Sequence, residues 1–488
     1  MTTAAVPGAG ARRVSGVQPL PSQVAMLQLA AQHPGGRALV IDAAWRTSSP
    51  LETAALVQAA EGALADTEAA GVGAIVGDGV RLVPADRAPV AVEEFATEDA
   101  YREWRATDAL SLDGGPLVRA TVVRRGADHC VRLLVHHAIL DGYAVTRLFR
   151  RIVERLDGEA AGARLPLARR GDLAALAAVT PSLRPPDLAF WSAATEGLGA
   201  PGHAIAFTDR TAPPADRPLQ HRAVLSAPAI ARRRSWPGEA VAVVAAYTAR
   251  HLGSAAAHVG VTASLRRTDL ERATPIQWMA AVPARLAVPD DATPAALAAD
   301  LHRWLAAAIE RIATGERPEQ LATAVPAAWR TGRLFGPIIN VLPDVQVPGW
   351  TLDVAAWGPV ADCLFSVHPV REGELVVDGV FHPDLYDAAG AAAHVDAIAA
   401  LLTTALAAPD APLPPIAARP ADPDRVAIPG GWIVPARIRA ALAAAGFPGD
   451  AVEVRTEAPV TVVLHGVQPE RLPDARAVLP PGVRVRRA

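Results

Sequence analysis

The segment LLVHHAILDGYAV, residues 133–145, places His136, His137, Asp141 and Gly142 within seven consecutive positions. A neutral imidazole, with a pKa near ~6.5, can take a proton close to neutral pH and return it to a leaving group. A positioned base of this kind gives about 100- to 10,000-fold in rate. An aspartate just before a helix accepts bonds from the first free N–H groups of that helix. A glycine beside it permits a tight turn or a close approach of another chain. The helix N-terminus adds donors and partial positive charge where an oxyanion develops. Together these groups suit acyl transfer, in which a base helps an amine or hydroxyl attack an activated carbonyl.

The histidines lie at the end of a run with strand character, CVRLLVHHAIL, and the helical run YAVTRLFRRIVERLDG comes next, with Val145, Leu148, Ile152, Val153 and Leu156 on one side. Neighbouring strand residues point to opposite faces, so His136 and His137 cannot share one role. That divergence also argues against a joint metal site for His136, His137 and Asp141, and no other His/Cys group has ligand spacing. PLVRATVVRR, GAD and CVRLLVHHAIL read as a hairpin. Upstream lie a helix from Pro21, the strand ALVIDAAW and the helix PLETAALVQAAEGALADTEAA. The second half repeats the mixture, from the helix AVVAAYTARHL through strands FGPIINVLPDV, ADCLFSVHPV and ELVVDGVF to the helix AAGAAAHVDAIAALLTTAL. Consecutive strands favour an α+β sandwich in each half over a doubly wound sheet.

The expected organisation is a flexible leader at 1–16, a first lobe at 17–175, a linker at 176–186, a second lobe at 187–408, a linker at 409–429 and a small unit at 430–488. The second linker holds seven prolines. The last unit reads as βαββαβ, an order that suits a ferredoxin-like fold. The chain has 488 residues, about three times the common domain size. A net charge of -3 gives no general attraction to nucleic acid or an anionic membrane. Cys130 and Cys363 are too few for a disulfide framework and read as reduced core thiols. No signal-peptide pattern opens the chain and no uncharged apolar run approaches the ~20 residues of a membrane span, so a cytoplasmic protein is expected. The chain has no G-x-S-x-G elbow and no P-loop, and GAGARR at 8–13 lacks the strand a dinucleotide loop needs.

HHAILDG matches the HHxxxDG signature of nonribosomal-peptide condensation domains, members of the chloramphenicol-acetyltransferase-like superfamily. Other segments resemble that family in order: PLPSQVAMLQLA its opening, SLDGGPLVRATVV its "gp-l-ra" strand, PDLAFWSAATEGL its Tyr/Phe-Trp helix, VGVTASLRR and AAVPARL its latch region, GVFHPDLYDAA its late element. The resemblance covers roughly residues 17–415. It implies two α/β sandwich lobes in a V, with His137 as catalytic base in a tunnel between them. Asp141 would be structural, paired with an arginine of the second half, for which Arg266 is the best match, so that the pair stitches the halves together. His136 would be packed away from substrate, and Gly142 would lie at the floor of the acyl channel. Trp357-Gly358 stands where some plant-type relatives carry a DFGWG element and reads as packing or channel lining.

The resemblance further implies no bound cofactor or metal. The donor would be a thioester on a phosphopantetheine arm, brought by an acyl- or peptidyl-carrier protein, and the acceptor a small amine or alcohol. No carrier site is visible in the chain, so a free-standing protein is expected, and two fused lobes point to a monomer. A CoA-dependent O- or N-acyltransferase is the alternative. A non-catalytic domain that recruits carrier proteins is a second, suggested because residues 63–75 and Ala280 depart from the family's pattern. Residues 430–488 fall outside the resemblance; they faintly resemble the small subdomain of adenylating enzymes, but the chain has no lysine for adenylation. A docking or stabilising role is expected of them.

Overall fold

The structure is a computed structural model that describes residues 19–31, 37, 39–126, 128–161, 173–195, 205, 215, 217–228, 230, 233–317, 334–358, 360, 362–416, 426–428, 431–433, 435–457, 459–479 and 483–488. The leader expected at 1–16 lies outside these residues. The chain is mixed α+β and forms two compact units. Unit 1 comprises Met1–Thr180 together with Arg266–Trp278 and Val347–Pro359; unit 2 comprises Pro181–Leu265, Met279–Gln346 and Val360–Ala488. The first boundary falls inside the linker expected at 176–186. The two short segments lent to unit 1 lie within the range expected for the second lobe alone.

In unit 1, α1 (Pro21–Ala31), β1 (Val40–Thr47), α2 (Thr53–Asp66), β2 (Val72–Val76), β3 (Val80–Pro84), β4 (Ala91–Glu94), α3 (Glu98–Thr107), β5 (Val118–Arg125), β6 (Asp128–His136) and α4 (Gly142–Ala161) succeed one another. β5 and β6 form the expected antiparallel hairpin, with Arg125 opposite Asp128 and Gly126 at φ +62° in the turn. Such a turn needs positive φ, which glycine adopts without steric cost. The main sheet has five strands: the strand Thr351–Trp357, then β1, β6, β5 and β4. Thr351–Trp357 crosses from the second half of the sequence and pairs antiparallel with β1.

Alternation along β1 and β6 sends their side chains to two very different faces. Ile41, Ala43 and Trp45, with Val131, Leu133 and Val135, are buried on the side where α2 and α4 pack. Trp45 stacks on Phe149 of α4 with ring centroids 4.2 Å apart. Val145, Leu148 and Ile152 of α4 are buried, while Val153 and Leu156 are only half-buried. On the other face Asp42 is fully buried beneath α3. It accepts from Arg105 Nη2 at 2.8 Å and from Arg132 Nη2 at 2.8 Å, and Arg132 Nη1 donates to Asp108 at 2.6 Å. Burial pushes the Asp42 carboxyl up, but Arg105 and Arg132 more than offset this and hold it below the usual carboxylate range.

Unit 2 is built on a six-stranded sheet in the order Leu219–Ser226, Glu374–Phe381, Cys363–Arg371, Ile338–Val341, Ala256–Ser264, Met279–Ala287. Parallel pairs at Ile338–Val341 join antiparallel ones on either side. Trp236–His251, Pro294–Ala313 and Ala388–Ala407 pack against the sheet, and their apolar residues share one core with Phe365, Val367 and Val377. Ala388–Ala407 is long and apolar enough to cross a membrane, yet Val395, Ile398 and Leu402 are fully buried in that core. Cys130 and Cys363 are free and buried.

The C-terminal residues follow the expected βαββαβ order, with helices Pro435–Ala444 and Leu472–Ala477, but their strands do not share one sheet. Gly431–Ile433 pairs with Val426–Ile428 in a local hairpin, while Val452–Arg455, Thr461–Leu464 and Arg484–Arg487 make a separate three-stranded sheet. The first strand is thus used by a partner concealed in the proline-rich stretch read as linker 409–429. Ile438, Leu442, Phe447, Val462 and Leu464 form a small core of their own.

Candidate active site

β6 ends at His136, and His137 is the first residue of the turn beyond it. Two consecutive peptide groups are pinned to opposite neighbours: the His136 N–H donates to Leu117 O at 2.9 Å, and the His137 N–H donates to Leu39 O at 2.7 Å. The side chains therefore diverge because one belongs to a strand and the other to a turn. His136 closes that turn. Its Nδ1 accepts from the Ala138 N–H at 3.2 Å, and its carbonyl accepts from the Ile139 N–H at 2.9 Å. Burial lowers the His136 pKa to about 4, with the adjacent His137 adding to the effect, so the ring is a neutral acceptor.

Asp141 caps α4, accepting from the Ala144 N–H at 2.9 Å, as its position before the helix predicts. The rest of its carboxylate is occupied by the segment Arg266–Trp278. Arg266 Nη1 donates to Oδ2 at 2.7 Å, Arg266 Nη2 to Oδ1 at 3.1 Å, and the Trp278 N–H to Oδ2 at 2.8 Å. Both side chains of the ion pair are 2% exposed. Arg266 also donates to the carbonyls of Ile276 and Trp278 and lies over the Tyr143 ring, 4.5 Å from its centroid. Close by on the same segment, the Gln277 N–H donates to Ile139 O at 2.8 Å. The turn carrying His137 is therefore clasped from outside at Ile139 and Asp141. Asp141 comes from the first half of the sequence and Arg266 from the second, and both fall in unit 1.

His137 is 7% exposed. Its Nδ1 is buried with no hydrogen-bond partner among the described residues. Burial lowers its pKa, and the residue's own carbonyl and Asp141 oppose the shift without reversing it. The ring is thus held neutral, the form in which an imidazole can accept a proton. Gly358, just past the crossover strand, lies against the same ring: a methyl group added there would sit 2.5 Å from Cδ2 and 3.2 Å from Nε2 of His137. Gly142 is the first residue of α4, and its carbonyl accepts from the Thr146 hydroxyl at 2.9 Å. Among the described residues no group of three His, Cys, Asp or Glu side chains is placed to hold a metal ion.

His136, His137, Asp141, Gly142 and Arg266 thus meet around one turn. Sequence reasoning missed the backbone of Gln277 and Trp278, whose contribution carries no side-chain signature. It singled out Gly358 through the Trp357-Gly358 pair without placing it at His137.

No family model matches the sequence, and no curated protein matches it. The fold nevertheless defines a class: the chain has the fold of condensation domains. The first condensation domain of the calcium-dependent antibiotic synthetase, in complex with substrate analogue 3a, matches with a TM-score of 0.71 and 19% identity, over 82% of this chain and 98% of that one. A mutant starter condensation domain of rhizomide synthetase, in complex with C8-CoA and Leu-SNAC, matches with a TM-score of 0.68 and 18% identity, over 82% of this chain and 96% of that one.

Proposed function

We propose that the chain is a condensation-type acyltransferase that joins a carrier-protein-bound acyl or aminoacyl thioester to an amine or hydroxyl acceptor in natural-product biosynthesis. The observation that carries this reading is the buried, neutral imidazole of His137 on a turn clasped by the Asp141–Arg266 pair. Nε2 takes the proton of the acceptor as its nitrogen or oxygen attacks the thioester carbonyl. The tetrahedral intermediate collapses, the C–S bond breaks, and the thiolate leaves with the proton held on His137. The products are an amide or ester and a free thiol. Asp141, Arg266 and His136 act by holding the turn. No metal or redox group is required by this chemistry, and the phosphopantetheine thioester enters as substrate.

A CoA thioester is the second reading for the donor, supported by the C8-CoA bound to the rhizomide synthetase domain. The small C-terminal unit is assigned a docking or stabilising role, and the protein is taken as a cytoplasmic monomer. Transfer from an acyl-carrier protein and from the matching acyl-CoA, measured side by side with an amine and alcohol pool, tests the donor. Carrier-dependent transfer predicts a kcat/KM at least about tenfold higher with the carrier protein, a difference of ~1.4 kcal/mol in transition-state binding. Comparable turnover of free acyl-CoA would overturn the carrier assignment and leave acyl transfer standing.

A further inference from the structure

We propose that Gly358 is a positioning residue for His137, holding the imidazole by backbone contact so that Nε2 keeps one direction. This rests on His137 being the base. The crossover strand Thr351–Trp357 pairs with β1 through a register shift between Asp42 and Ala43, opposite Ala356 and Val354, which leaves Ala355 as an extra residue. A bulge of this kind bends a strand and re-aims the residues beyond it. Beyond this bulge come Trp357, paired with Ile41, and then Gly358, brought against the ring edge. On the other side of β1, His136 pairs with Val40 and the His137 N–H is tied to Leu39. The imidazole is therefore reached from one side by its own pinned backbone and from the other by the crossover.

Two features restrict position 358 to glycine. Its φ of +107° lies where L side chains are strained, and a Cβ would come within 2.5 Å of His137 Cδ2, inside any ordinary contact. The clash falls on the carbon that adjoins Nε2, so a side chain here must turn the ring away from its present direction. Arg266 and Asp141 hold the turn; Gly358 holds the ring on that turn. The first can be intact while the second fails.

Gly349 supplies the control. It lies on the same segment of unit 1 with φ +78°, and a Cβ there meets nothing within 4 Å. Gly349→Ala therefore carries backbone strain without the ring contact. Both alanine variants would be compared with the wild-type full chain by thermal unfolding, by acyl-transfer kinetics over pH, and by the NMR cross-peak of His137 Cδ2–Hδ2, assigned through its absence from His137→Ala. The expected result is that Gly358→Ala moves this cross-peak and its titration, and lowers kcat on the order of 100-fold with KM within about twofold. Gly349→Ala is expected to lose stability and leave both unchanged. A folded Gly358→Ala with the wild-type cross-peak, titration and kcat would overturn the proposal. If the wild type transfers no acyl group, acyl transfer itself fails, and the cross-peak alone decides whether Gly358 positions the ring.

Discussion

At the scale of single residues, the two adjacent histidines illustrate how position decides chemistry. Both rings are buried and both have lowered pKa values, yet His136 spends its Nδ1 on the Ala138 N–H, while the buried Nδ1 of His137 bonds no described residue. Their different surroundings were legible from the sequence, since a strand ending beside a cap residue forces neighbours apart. The contact with Gly358 was not, because a glycine more than two hundred positions away announces nothing about what its missing Cβ would have struck. With His137 as the proposed base, this residue sets the expected pH dependence. The reactive form is the neutral ring, and burial moves its pKa below 6.5, so kcat/KM should stay level as pH falls to 6.5 and decline only below it. A pH–rate profile whose acid limb is centred above 6.5 would contradict that assignment. Stability should fall in the same direction. The unfolded chain binds protons on both histidines from about pH 6.5 downward, whereas the folded chain does so only at lower pH, so unfolding is favoured as pH falls through that window.

At the scale of elements, the local hydrophobic patterns gave most strands and helices near the site, including the hairpin of β5 and β6 and the helix α4. What they could not give was the pairing of Thr351–Trp357 with β1, or the return of Arg266–Trp278 to the turn after β6. Both join residues far apart in sequence, and a strand carries no mark of which sheet it will enter. The C-terminal residues show the same limit: the periodicity suggested one sheet, but a short hairpin partner in a proline-rich stretch took its first strand. The clasp made by Arg266 can be tested as an element. Removing it leaves the Asp141 carboxylate buried with half its donors gone, which should cost about 3–5 kcal/mol of stability. Denaturant unfolding of Arg266→Ala should show that loss together with reduced transfer. Arg266→Lys should recover only part of it, since one ammonium cannot reproduce two guanidinium bonds. A variant as stable as the wild type would show that the clasp is ornamental to the fold.

At the scale of the whole molecule, the chain is mixed α+β with several sheets and the fold of condensation domains, while at 17–19% identity to such structures its chemistry has to be argued from the site. The α+β class was legible in the sequence, and so was the turn on which the site is built, because the signature residues fall together within one strand-to-helix connection. Two segments of the second half, Arg266–Trp278 and Val347–Pro359, belong to the first compact unit, and no local pattern in the sequence marks them for it. The central claim is that this molecule unloads an acyl thioester by means of His137. Intact-protein mass spectrometry on acyl-loaded carrier proteins, mixed with amines and alcohols, measures this directly. The wild type should remove the acyl mass and release a new amide or ester, while His137→Ala, still folded, should slow that step by about 100- to 10,000-fold. Equal unloading by both proteins would contradict the role of His137; no unloading by either, with the carrier protein still bound, would show a recruiting domain in place of an enzyme.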